Sequence, residues 1–166
     1  MVDMSDMTDM TDSKDTPWYK DGLRFSCSQC GNCCTGGPGA VWYTADEGHA
    51  MATALGLSDE EFSARYTREI ENRRSLNERE TEHGFDCVFL DRTTQPGRAL
   101  CSVYTARPGQ CRTWPFWPEN LESPQAWKAA KDRTPCHGMD NGKLYPIEQI
   151  RIMRDLDQAD NETAPW

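Results

Sequence analysis

Cys27-Ser28-Gln29-Cys30-Gly31-Asn32-Cys33-Cys34 places four thiols within eight residues, and Gly36-Gly37-Pro38-Gly39 follows at once. A Cys-x-x-Cys turn lets two thiolates converge on one ion with little backbone strain, and adjoining glycines let backbone N–H groups approach the sulfurs. The stretch predicts a metal-binding knuckle. Cys87, Cys101, Cys111 and Cys136 lie downstream, so the rest of the chain reads as the device that returns them to it. All eight cysteines, Cys27, Cys30, Cys33, Cys34, Cys87, Cys101, Cys111 and Cys136, are candidate metal ligands.

Composition sets the limits on that reading. A chain of 166 residues suits one domain with modest tails, and 37% apolar residues with a mean hydropathy of -0.81 predict a small core that gains from a metal staple. A formal charge of -9 with no sustained Lys/Arg stripe argues against nucleic acid or an anionic membrane as partner. Met1-Val2-Asp3-Met4-Ser5-Asp6 has neither a basic n-region nor an apolar h-region, and no stretch is long enough to span a bilayer. The expected setting is the reducing cytoplasm, where closely spaced cysteines serve more often as ligands or redox groups than as disulfides.

Along the chain, Met4-Ser5-Asp6, Met7-Thr8-Asp9 and Met10-Thr11-Asp12 repeat a polar triplet with no face to bury, so residues 1–17 read as a disordered acidic tail ahead of a domain over 18–157. Residues 158–166 read as a frayed end. Val41-Trp42-Tyr43 is strand-like. Thr44 with Glu47, and Ser58 with Glu61, have capping-box spacing, and Gly56 stops the first of the two helices they open. Phe62, Tyr66 and Ile70 recur at i, i+4, i+8 and predict one buried stripe on the second helix. Residues 71–82 read as a polar helix extension or an exposed strand. Val88–Leu90 and Leu100–Tyr104 predict a β-hairpin with a long loop that brings Cys87 near Cys101. Pro108 and Pro115 bracket at most about two helical turns carrying Cys111. Ser123-Pro124 starts a short helix, Lys143–Tyr145 a last strand, and Pro146 a closing helix with Ile147, Ile150, Met153 and Leu156 on one side. The fold class that results is α+β, a small irregular metal-stapled domain of short helices and a β-hairpin around a cysteine cluster.

Taken together, Cys27-x-x-Cys30-x-x-Cys33-Cys34, Cys87-x-Phe89-Leu90, Cys101-x-x-Tyr104-x-x-Arg107-Pro108-x-x-Cys111-Arg112-x-x-Pro115 and Cys136-x-Gly138 resemble the YkgJ-type cysteine-cluster family, described as a zinc- or iron-chelating domain, to which flagellin lysine methylase is similar. The resemblance runs from Phe25 to about Gly142. It implies a cytoplasmic protein that binds metal ions, as an iron-sulfur cluster or as zinc. In that family Pro often follows the cysteines equivalent to Cys87 and Cys136. Val88 and His137 stand here, which makes His137 an additional candidate ligand.

Vicinal cysteines ordinarily send their side chains apart, so Cys33 and Cys34 predict two sites, or one site plus spare thiols. Cys27, Cys30 and Cys33 at x2-x2 spacing resemble three ligands of a ferredoxin-type [4Fe-4S] site, with Cys34 facing a second group. Two Zn(Cys)4 sites are the competing division. Three functions follow: a metal or iron-sulfur binding protein, an enzyme like the flagellin methylase that modifies a protein substrate, or a metal chaperone serving a protein acceptor. His49 and His83 read as surface histidines, and Trp114, Phe116, Trp117 and Trp127 as core packed against the metal site. For Arg107 and Arg112, pairing with carboxylates is the leading reading. No Walker-type loop, Gly-x-Ser-x-Gly elbow or His-Glu-x-x-His helix is present, and no catalytic residue is assigned.

Overall fold

The structure, a computed structural model, describes residues 16–162. The acidic tail read over 1–17 lies, apart from residues 16 and 17, outside the described residues. Short strands and helices alternate without a large sheet: β1 (Leu23–Phe25), α1 (Ala45–Leu55), α2 (Asp59–Tyr66), β2 (Thr67–Ile70), β3 (Arg73–Leu76), β4 (Glu78–Thr81), β5 (Gly84–Cys87), β6 (Leu90–Asp91), β7 (Leu100–Cys101), α3 (Gly109–Thr113), α4 (Pro118–Leu121), α5 (Pro124–Arg133), β8 (Met139–Tyr145) and α6 (Ile147–Glu162). The strands pair antiparallel as β1 with β8, β2 with β3, β4 with β5 and β6 with β7. This is a small α+β domain.

Both capping boxes form. The Thr44 hydroxyl accepts from the Glu47 N–H while Glu47 reaches back to the Thr44 N–H at 2.9 Å, and Ser58 with Glu61 repeats the arrangement. Glu47 also does a second job. Its other oxygen accepts from the Gly109 N–H at 2.6 Å and from Arg112 at 3.2 Å, which fixes the start of α3 against the start of α1.

The stripe expected from Phe62 through Ile70 ends early. Phe62 is buried, but α2 stops at Tyr66 and Ile70 lies on β2. Glu71 and Asn72 take φ of 49° and 62°, the two left-handed residues of a tight hairpin turn, and the hairpin buries Ser75 and Leu76. Burial of that returning strand outweighs the helical period. For residues 71–82 the strand alternative is the one observed. The hairpin expected from Val88–Leu90 and Leu100–Tyr104 forms with a shorter ladder, Leu90 opposite Cys101 and Asp91 opposite Leu100, while Cys87 ends β5 opposite Glu78.

On α6, Ile150 is fully buried and Ile147 and Met153 pack beside it, but Leu156 is 53% exposed. The neighbouring Asp157 turns inward instead and accepts from the Thr113 hydroxyl at 3.2 Å. The helix continues to Glu162, past residue 157.

Apolar side chains gather in two separate cores. One holds Tyr19, Leu23, Trp114, Phe116, Trp127 and Ile150; the other holds Tyr43, Met51, Phe62, Leu76, Phe89 and Val103. Neither is large enough to organise the whole chain, as the low apolar content predicts. The cysteines lie along the seam between them.

Candidate metal centre

The knuckle is a loop held from three sides. Gln29 accepts from the Ala99 N–H at 2.8 Å, the Asn32 amide donates to the Pro135 carbonyl at 2.9 Å, and the Gly36 carbonyl accepts from the Phe85 N–H at 2.8 Å. Those anchors belong to the segments that carry Cys101, Cys136 and Cys87. Gly31, between Cys30 and Cys33, has φ +75°, and a Cβ there would stand 2.6 Å from the Ala99 methyl. Only glycine fits both the backbone and the space. Gly31→Ala is therefore expected to push the knuckle off its Ala99 support and leave less than half the metal of the native protein, read by elemental analysis of the folded fraction.

All eight cysteines are free thiols, and together they line two adjoining chambers. The first, of about 150 Å³, is lined by Cys27, Cys33, Cys34, Cys87, Cys101 and Cys111. The second, of about 310 Å³, is lined by Cys27, Cys30, Cys33, Cys111 and Cys136. Val41, Leu76, Phe89 and Val103 from one core and Trp114 and Trp117 from the other form the apolar wall of the first chamber. The long-range return of the downstream cysteines to the knuckle, the central expectation from sequence, is the observed arrangement. His137 is exposed and lines neither chamber. His49 pairs on the surface with Asp59 at 3.0 Å, and His83 is likewise at the surface.

Within the first chamber the Cys33 and Cys34 sulfurs are 3.8 Å apart. Vicinal thiols thus meet here, contrary to the divergence expected, because the 3-10 turn over Asn32–Cys34 folds the second thiol back beside the first. The hydrogen bond from Cys34, helped by Arg107, holds Cys33 down at about 7 against the effect of burial. The same contact and burial push Cys34 up. Burial raises Cys87 to about 11 and also raises Cys101 and Cys111. Repulsion among the thiolates of Cys33, Cys34, Cys87, Cys101 and Cys111 adds to it, so these sulfurs act on one another as one group. The thiols of Cys34, Cys87, Cys101 and Cys111 resist ionisation until a cation shares the site, and a bound metal reverses the balance.

Two further features fit a sulfur-ligated group. Trp18, Trp117 and Trp127 each donate an indole N–H, to Leu121, Gln110 and Asp140 respectively. The Trp114 N–H is buried beside both chambers and has no acceptor among the described residues. A buried donor without a partner costs roughly 1–3 kcal/mol, and a thiolate or inorganic sulfide in the chamber would remove that penalty. Arg107 departs from the carboxylate pairing expected. It lies 3.8 Å from the centre of the Tyr104 ring, faces the cysteines, and makes no ion pair among the described residues, whereas Arg112 does pair, with Glu47. Among the described residues no three His, Cys, Asp or Glu side chains stand close enough to hold one ion as they are. The sulfurs ring a space rather than a point.

Gly31, Trp114 and Arg107 are site residues that cysteine spacing alone misses. The Arg-Pro-x-x-Cys frame marked the neighbourhood of two of them. Among the described residues no helix is long and apolar enough to cross a membrane. No solved structure matches this chain. Residues 26–137, which contain every cysteine but none of the α6 helix, match a family described as a zinc- or iron-chelating domain. With its cysteines gathered as that description requires, the chain belongs to the CxxCxxCC family of metal-chelating domains.

Proposed function

We propose that the protein carries an iron-sulfur cluster in the first chamber, ligated from among Cys33, Cys34, Cys87, Cys101 and Cys111, with Cys27, Cys30 and Cys136 serving a second site in the adjoining chamber. The observation that carries this is the size of the first chamber. About 150 Å³ is roughly ten times what one water-sized sphere occupies, and the thiols around it are spread too widely to close on a single ion. A polyatomic cluster reaches such walls, and the unpartnered Trp114 N–H supplies the kind of donor that clusters take at their sulfurs. When bound, a cluster of this type supplies electron transfer or a Lewis-acidic iron. The chain's own part is to exclude water with the two apolar cores, to place Arg107 where it offsets thiolate charge, and to hold the sulfurs on hydrogen-bonded backbone.

Zinc is the second reading, and one distance favours it. Four sulfurs at about 2.3 Å from a tetrahedral zinc have edges of roughly 3.8 Å, the separation seen between Cys33 and Cys34. Anaerobic purification followed by metal and acid-labile sulfide analysis separates the two. Iron with sulfide is the expected result, zinc without sulfide would replace it with the second reading, and a stable metal-free protein would defeat both.

A further inference from the structure

The second chamber differs from the first in charge. Its wall contains Arg107, Arg112 and Lys143 and no carboxylate, in a chain with 27 acidic and 18 basic residues. Elsewhere Arg65, Arg68, Arg92, Lys128 and Arg154 are paired with carboxylates. Of the three cations at the chamber only Arg112 is so paired. Arg107 and Lys143 instead rest on aromatic faces, at 3.8 Å from the Tyr104 ring centre and 4.8 Å from that of Tyr145. Neither makes an ion pair among the described residues. Ring contacts fix where the charges point; the Arg107 Nε–H donates to the Tyr104 carbonyl at 3.0 Å, while the terminal N–H groups of Arg107 and the Lys143 ammonium make no hydrogen bond among the described residues, and apolar walls strengthen the field those charges make.

We propose that the second chamber binds a small anion, a carboxylate- or phosphate-bearing molecule, held by Arg107 and Lys143 beside the sulfur centre. This goes beyond metal chelation and does not depend on whether the ion is iron or zinc. The chamber's volume of about 310 Å³ is twice that of its neighbour, so it has room for a molecule of several heavy atoms beside an ion held by Cys27, Cys30 and Cys136. Arg107 borders both chambers, so the anion would lie within reach of a group that also faces the thiols of the first. The competing account is that both cations do no more than offset thiolate charge.

Calorimetric titration of the full, metal-loaded chain with inorganic phosphate and, separately, with succinate tests the proposal and tells the two anion classes apart. Saturable binding of at least one probe is expected, weakened tenfold or more in Lys143→Gln and in Arg107→Gln, restored in Lys143→Arg, and unchanged in Lys128→Gln on the distant α5. Lys143 is exposed on β8, so its variant keeps the test valid if Arg107→Gln fails to fold. Absence of saturable binding to the native protein, or equal affinity in native and Lys143→Gln proteins, overturns the proposal. Metal content measured on the same samples keeps this outcome apart from the metal reading: a metal-free protein that still binds the anion overturns the latter alone.

Discussion

Stripping the metal under reducing, anaerobic conditions is expected to lower the thermal midpoint by more than about 10 °C, and Cys111→Ser should reproduce much of that loss while retaining less than half the metal. The reason is the placement of the chambers. The two apolar cores meet across a seam lined by thiols as well as apolar side chains, so metal bound there would act as a third core of the domain. Structural metal sites contribute on the order of 10 kcal/mol or more to folding in small domains, against a total stability of about 5–15 kcal/mol. A loss of even 4 kcal/mol corresponds to roughly 10 °C in a chain of this size. Cys111 is the informative position because its sulfur borders both chambers and it is carried by a short helix fixed at its start by Glu47. Scanning calorimetry of native, chelated and Cys111→Ser proteins decides the matter. A chelated protein melting within about 2 °C of the native one would show that the seam holds without metal.

Phe116→Ala is expected to destabilise the metal-loaded protein by about 3–5 kcal/mol, the range for a fully buried aromatic cut back to a methyl group. Phe116 has no exposed surface and touches three partners from different parts of the chain: Phe25 at 6.2 Å between ring centres, Trp127 at 5.9 Å and Tyr145 at 4.9 Å. It therefore joins β1, α5 and the end of β8 at one point. A cavity there loosens the wall that carries Trp114, so metal retention should decline together with stability. Ile152→Ala, at a side 60% exposed, is the control and should change stability by less than about 0.5 kcal/mol. Urea unfolding read by tryptophan fluorescence gives both numbers; a Phe116→Ala loss below about 1 kcal/mol would mean that the aromatic contacts do not carry the load described.

What the sequence revealed divides by range. Local chemistry was readable: the Thr44 and Ser58 capping boxes, the Gly56 stop, the Ser123-Pro124 start and the bracketing of Cys111 by Pro108 and Pro115 all depend on residues a few positions apart. The gathering of the cysteines was readable because thiols at Cys-x-x-Cys spacing are a ligand arrangement that draws further thiols from elsewhere in the chain. Features set by distant partners were not. Nothing in the immediate sequence says that β1 pairs with β8 across more than a hundred residues, or that Thr67–Ile70 turns back as a hairpin instead of prolonging a helix whose apolar period continues through it. Leu156, expected on the apolar side of the closing helix, is exposed, and Asp157 turns inward beside it because Thr113, on another helix, offers the carboxylate a buried hydroxyl. Cys33 and Cys34 were expected to diverge on the strength of general geometry, which a single 3-10 turn overrides.

The bridge made by Glu47 bears on what holds such a site in place. One carboxylate, 62 positions ahead of its target in the chain, ties the first turn of the acidic helical pair to the Gly109 amide. The helix that carries Cys111 is thereby anchored to α1 by contacts in which no thiol takes part. A chain that lacked the Thr44–Gly56 segment would keep every thiol and lose the carboxylate that holds the Cys111 helix in place.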